Sequence, residues 1–550
     1  MSLNRHPRPL IAALTALCLT ACGPETDTPA PQPPPTEPPA TQPVEVGDVV
    51  ALTASGKLVS FNRATPATLV GSIAVTGLPE GESLLGMDYR PADARLYGLT
   101  SGGKIVVLAP ETGVATVKST LAAMSGDDKP FTALSGTAFA VDFNPVADRL
   151  RVVSDTGQSL RINVDTGSTI TDGDINGGGS GTRVSAAAYT NSFPETVSTR
   201  LFVLDVVTDS VYLQDPPNNG TLSTPVALGV DASAVGGYDI DARTNTGYAA
   251  LTVGGTQRLY RIALDKAPAA ASELSAIGED EPLKALALRQ ASGAALIGLT
   301  TDNRLVRAAV SAPNTLLATV NVTGVPAGET LLGIDVRPSN GQLHALSSAG
   351  KLYTLDARTG VATQKATLSA DAADTTAPFA GLAGTHFVID FNPVADRLRV
   401  VSDTGQNLRI NVDTGATTTD GTINRESGEA LVFGAAYTNS FAGTSATVLF
   451  DLERNGNGLT RQEPPNNGAL VNVGALGVTW KGAAGFDIAG GDNGLPLVAG
   501  RTTDSGPFAL YQVNLLTGAA TFFPRTATTA EQAAIGGAAG PDLRDIALVY

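Results

Sequence analysis

The chain has 550 residues, 43% of them hydrophobic and 16% charged, with a net charge of −16 at neutral pH. That excess of carboxylate repels phosphate backbones over a Debye length or so, which argues against nucleic acid as a partner, and the size and apolar content call for more than one folded core. The 60 glycines and 34 prolines, against 3 methionines and 1 tryptophan, suit many short strands joined by tight turns, and so an all-β chain.

Residues 1–21 have the layout of a secretory signal peptide: Arg5 and Arg8, an apolar run at 10–19, then small residues. The run is too short to span a bilayer comfortably. The segment ends Leu19-Thr20-Ala21-Cys22, which resembles the bacterial lipobox, where the cysteine thiol takes a diacylglyceryl group and becomes the mature N-terminus. The expectation is an exported lipoprotein, its membrane partner reached through the lipid on Cys22; an ordinary signal peptide that happens to contain cysteine is the alternative. Gly23, where some Gram-negative inner-membrane lipoproteins carry Asp, favours the outer membrane or cell surface. The linker at 22–47 holds nine prolines and almost no large apolar residue, the composition of a polyproline II stalk. Cys18 and Cys22 are the only cysteines, so the folded part has none to pair.

The rest of the chain is written twice. DFNPVADRLRVVSDTGQSLRINVDTG at 142–167 returns at 390–415, changed only from Ser159 to Asn407. The same offset of 248 links AAYTNSF at 187–193 with 435–441 and PPNNG at 216–220 with 464–468, and an offset of 247 links LLGMDYRP at 84–91 with LLGIDVRP at 331–338. Inside each unit a short apolar strand recurs around Asp88, Asp142, Tyr189, Asp239 and Leu286, at spacings of 54, 47, 50 and 47. Strand-like runs separated by TG, DTG and NNG turns lie between these landmarks. About four strands per roughly 50 residues is the cadence of a propeller blade.

The prediction is two tandem β-propellers of about five blades each, at 48–290 and 291–550. A single larger propeller and a pair of β-sandwiches are the alternatives. LKALAL at 283–288 is expected to pair with VVALT at 49–53, and DIALVY at 545–550 with ALIGLT at 295–300, shutting each ring and removing its open edges.

DFNPVADRLRVVSDTGQ, AAYTNSF and PPNNG, each present twice, resemble the bacterial family catalogued as domain of unknown function 4394, and the likeness spans almost all of 49–550. The resemblance implies a secreted, propeller-type repeat protein. It transfers no activity, cofactor or catalytic residue.

Little reactive chemistry is legible. His6 leaves with the signal peptide, and His344 and His386 align with Tyr97 and Ala138 in the other unit, so any histidine mechanism would exist in one copy. No G-x-S-x-G elbow and no phosphate loop is present, and His/Cys zinc sites lack their ligands. Carboxylates are the remaining candidates. Asp88, Asp142 and Asp239, and in the second unit Asp335, Asp390 and Asp487, fall at comparable strand positions. On inner strands they would converge on a channel to bind a cation or a sugar hydroxyl; otherwise each bonds backbone within its own blade. Arg149, Arg151 and Arg161, repeated as Arg397, Arg399 and Arg409, suit an inter-blade salt network or a pocket for acidic glycans. DGDING at 172–177 copies the opening of a Ca2+ loop with Asp172, Asp174 and Asn176, but Arg183 stands where the bidentate acid belongs. PPNNG reads as a loop tip, where binding surfaces often lie.

The functional expectation is a non-catalytic binding or scaffolding protein of the cell envelope, with a glycan or envelope protein as partner. The alternative is an extracytoplasmic carbohydrate-active hydrolase or lyase using paired carboxylates.

Overall fold

The structure, a computed structural model, describes residues 43–223, 225–264, 270–289, 294–491 and 494–550. The signal segment, Cys22 and most of the linker lie outside the described residues. Among the described residues no helix is long and apolar enough to cross a membrane.

The strands form ten separate antiparallel-cored sheets of four to six strands. Five belong to residues 49–288 and five to 295–549, and each sheet is one blade. The innermost strands of the first ring are Leu283–Leu288, Leu84–Tyr89, Phe139–Asn144, Ala186–Tyr189 and Ala232–Ile240, each packed against the next in cyclic order. Those of the second are Leu543–Val549, Leu331–Arg337, Phe387–Asn392, Val432–Tyr437 and Gly482–Ala489, arranged likewise. The chain therefore forms two five-bladed propellers, not one large ring or two sandwiches.

Closure follows the predicted pairing. Val49–Thr53 lies antiparallel to Leu283–Leu288, with Val49 opposite Leu288, and Ala295–Thr300 lies antiparallel to Leu543–Val549, with Leu296 opposite Leu548. In both rings the last strand is the innermost strand of the first blade, so the ring cannot open without unzipping a hydrogen-bonded ladder.

Why these sequences make blades is visible in their burial. Val49–Thr53 is buried at every position because another blade covers each face, whereas the outer strand Leu316–Asn321 alternates half-buried and exposed. Continuous apolar runs suit strands covered on both sides; alternation suits strands with one wet face. No single core exists. Ten apolar clusters fill the ten blade interfaces, for example Tyr97, Phe143 and Leu160 between the second and third blades of the first ring. Where the fifth blade meets the closing strand, side chains give way: a Cβ on Gly237 (φ 128°) would strike the Leu286 amide, and one on Gly485 (φ 89°) the Ile546 amide. Glycine allows both the positive φ and the close approach.

Candidate functional site

Three of the five inner strands in each ring carry an aspartate at the same register position, and the pleat aims all three at the channel. Asp88 accepts the amide of Tyr89 (2.7 Å) and, across the blade boundary, that of Phe143 (2.8 Å). Asp142 accepts Tyr189 N–H in the next blade (2.9 Å), and Asp239 accepts those of Ile240 and Leu288 (2.6 Å each). The second ring repeats this: Asp335 accepts from Val336 and Phe391, Asp390 from Tyr437 and Asp487 from Leu548. Bonding within the blade is part of what these aspartates do, since Asp88, Asp239 and Asp335 each accept the next amide of their own strand. Every one of the six ties its blade to the following one, because inner strands of adjacent blades sit close enough for a short side chain to bridge them.

The carboxylates also converge. One oxygen from each of Asp88, Asp142 and Asp239 lies within 4.8 Å of the others, and the same holds for Asp335, Asp390 and Asp487. Burial, and in four of the six the neighbouring carboxylate charge, pushes Asp88, Asp142, Asp335 and Asp390 well above the usual range. Burial, against the pull of backbone amides, brings Asp239 to about 7 and Asp487 to about 6. Such a trio can share protons or hold a hard cation through its oxygens. The second ring adds Asp545, which accepts the amides of Ile546 (2.9 Å) and Ile334 (2.8 Å). Sequence reading missed it, although it stands in the closing strand where the first ring has Ala285.

Arg151 is 1% exposed and reaches four partners: Tyr189 Oη (3.2 Å), Ser159 Oγ (3.0 Å), Asp172 and Asn218 Oδ1 (2.7 Å). Arg161 forks onto the same Asp172 (2.7 and 2.8 Å). Arg399, Arg409, Asp420 and Asn466 repeat the arrangement. The PPNNG loops are exposed tips, as expected, and through Asn218 and Asn466 they also clasp a buried guanidinium; each is a short 3-10 turn closed by a left-handed glycine, Gly220 or Gly468. Arg149 and Arg397 stand apart, donating to the carbonyls of Asp148 and Asp396. A second tie, not singled out in sequence, joins Arg90 to Asp148 (2.8 Å) and Asp165 (2.9 Å), and Arg337 to Asp396 and Asp413.

The calcium-loop reading of 172–177 is overturned. The Asp172 carboxylate is taken up by two guanidiniums, and Asp174 and Asn176 are exposed, with the Asn176 amide donating to the Asp174 and Asn219 carbonyls. Of the two folded histidines, His344 stands directly across the strand pair from Asp335, buried edge-on to Phe391 at 5.3 Å with neither ring nitrogen bonded, and His386 reaches the Phe433 carbonyl (3.4 Å).

At the mouth of the first ring, above Asp88 and Asp239, lies a cavity of about 580 Å³ whose walls include Asp48, Arg63, Asp241, Arg243 and Arg289. Arg63 is neutralised there. Its guanidinium donates to Asp48 (3.0 Å) and Asp241 and lies over the Tyr248 ring. Against the upward push of burial, the Arg63 charge and hydrogen bond hold the Asp241 carboxyl below its usual range. Arg243 lies over the Tyr550 ring at 5.4 Å, and its buried Nε has no partner. Arg289 is exposed, and among the described residues its guanidinium donates to the Val46 carbonyl, at 3.2 Å.

The family model described as domain of unknown function (DUF4394) matches residues 57–287 and again 304–536. The chain belongs to this family. No protein of curated function matches it. Among solved structures, the Dos1 propeller is 13% identical over 65% of this chain and 92% of its own, with a TM-score of 0.26. The Cps50 (Swd1) β-propeller domain of Myceliophteria thermophila is 12% identical over 70% of this chain and 97% of its own, with a TM-score of 0.22.

Each DUF4394 copy is one ring, and strand register aligns them residue by residue: Leu52 opposite Leu58 corresponds to Leu299 opposite Leu305. By that register Asp48, Arg63 and Arg289 of the first ring become Ala295, Val310 and Val549, while Asp241 and Arg243 become Ala489 and Gly491. Every charged wall of the first mouth is apolar or glycine in the second DUF4394 copy. Val310 and Ala489 join an apolar cluster that takes in Phe193 of the first ring, with Tyr550 packed against it. Charge-to-apolar differences between otherwise similar copies are the signal that would have found this site in sequence. A second difference lies between blades: Val203 and Tyr212 of the first copy become Asp451 and Thr460. Neither carboxylate oxygen of Asp451 has a partner, and burial raises this carboxyl to about 8.

Proposed function

We propose that this DUF4394 protein is exported, anchored to the outer membrane or cell surface by a lipid on Cys22, and works by binding or scaffolding rather than by catalysis. The linker at 22–47 is its stalk. The observation that carries the binding role is the open, charged cavity over the channel of the first ring, which no histidine or cysteine lines and whose volume is that of a small-molecule site. The lipobox-like end of a signal-like segment supports the address. The hydrolase or lyase alternative draws less support. The channel carboxylates are buried and bonded to backbone amides of the next blade, which engages the oxygens an acid–base pair would use.

Two measurements test this reading. On cell fractionation, wild type should be recovered with membranes and Cys22→Ser in the soluble fraction of the exported pool; an unchanged distribution sinks the anchor. Glycan arrays and envelope pull-downs with the intact protein should return a retained ligand, and the binding role fails if neither does.

A further inference from the structure

The wall of the first mouth holds two guanidiniums without a carboxylate partner among the described residues, and that is an unusual thing to find in a chain of net charge −16. Arg63 shows what a structural arginine looks like at this rim: two carboxylates and a tyrosine face take it up. Arg243 and Arg289 differ. Arg243 is half-buried, lies over the Tyr550 ring and lines the cavity, and no carboxylate pairs with its guanidinium among the described residues.

We propose that the first-ring mouth binds a small polyhydroxylated oxyanion, a sugar acid or a sugar phosphate, with Arg243 and Arg289 taking the anionic group. This rests on the reading of that ring as a binding unit. Guanidinium forks match carboxylate and phosphate oxygens in pairs, and a cavity of about 580 Å³ has the size of one or two sugar rings rather than of a bare ion. The same cavity brings Asp48, Asn62, Asp88 and Asp239 to its wall and floor, a set of oxygen and amide groups suited to hydroxyls. Burial favours the neutral form of the two floor carboxyls, which removes repulsion toward an anion above them and supplies a hydroxyl-type donor. A cation is disfavoured at the rim by the two unneutralised guanidiniums. The second ring serves as the internal contrast: Gly491 and Val549 replace both arginines, so only the first ring takes the ligand.

Calorimetric titration of the full chain with galacturonate, glucose 6-phosphate and glucose tests the assignment. At least one of the two anions should bind with one site per chain, and glucose should bind more weakly. Arg243→Gln with Arg289→Gln should weaken the anion roughly tenfold or more, the worth of one charge-assisted hydrogen bond, with an unchanged thermal midpoint. Arg243→Lys, which keeps charge but loses the fork, should fall between. Galacturonate alone would mark a sugar-acid site and glucose 6-phosphate alone a sugar-phosphate site. No binding of either anion at millimolar concentration, two sites per chain, or an affinity unchanged in the double variant overturns the assignment. If glucose binds where the anions do not, the wider binding role survives without it.

Discussion

Between the third and fourth blades of each ring, Arg151 and Arg399 meet the same tyrosine, aspartate and PPNNG asparagine, and differ only in meeting Ser159 or Asn407. At the mouths the rings part: arginines and aspartates in the first, alanine, valine and glycine in the second. The residues held in common tie one blade to the next, so ring closure depends on them. The rim residues that changed lie just outside the strands in the first ring, while in the second Ala295, Ala489 and Val549 are the end rungs of the ladders. Duplication thus kept the joints and released the rim. In the second ring the released rim became a surface against which Phe193 of the first ring packs.

This contrast can be broken in four ways. Arg151→Ala and Arg399→Ala should each cost about 3–5 kcal/mol in urea unfolding, because Asp172 or Asp420 is left as a buried charge short of a partner; clearly unequal losses would show that the joints are not equivalent. Next comes pH. The channel carboxyls have folded values raised above the unfolded value near 4, so the stability they contribute is fully present below pH ~4 and is lost as pH rises through about 7 for Asp239 and about 6 for Asp487. The loss should be on the order of 3 kcal/mol per ring, seen as a falling thermal midpoint, and Asp142→Asn should flatten the first-ring part of the slope. A cation in the trio would reverse the slope, and a chelator would then lower the midpoint.

Third, Asp451→Val restores the residue of the first ring. It should stabilise the second ring by about 1–3 kcal/mol, since a buried carboxyl without a partner is removed, and erase a pH dependence extending up to about 8. No gain would mean that an unseen partner satisfies Asp451. The smallest effect is expected at the rim, where Arg243→Gln should change stability by less than about 0.5 kcal/mol. A larger change would make the rim part of the joint.

The repeat, the five landmarks per unit and the closing strands are legible in sequence because each is local: a few consecutive residues at a steady period. The channel aspartates are legible for the same reason, being one register position on three of the five inner strands. Their bonding is not, since it depends on how closely Phe143 or Leu288 of the next blade approaches. The mouth is illegible in a different sense. Arg63, Arg243 and Arg289 come from the first blade, the fifth blade and the end of the closing strand, and only ring closure brings them together. DGDING misleads because a short acidic run fits a metal loop until Arg151 and Arg161 claim Asp172.

The closing strands also set an order of assembly. A chain made from its N-terminus presents Val49–Thr53 long before Leu283–Leu288 exists to pair with it, so an unsatisfied sheet edge persists through most of the synthesis of the first ring, a template for pairing with the wrong chain. Once Leu288 has emerged, Val49–Thr53 is paired and that ring is closed before the second ring has formed a blade. A nascent chain therefore carries one unclosed ring at a time, and a chain broken off before Leu543–Val549 keeps a closed first ring beside an open second one.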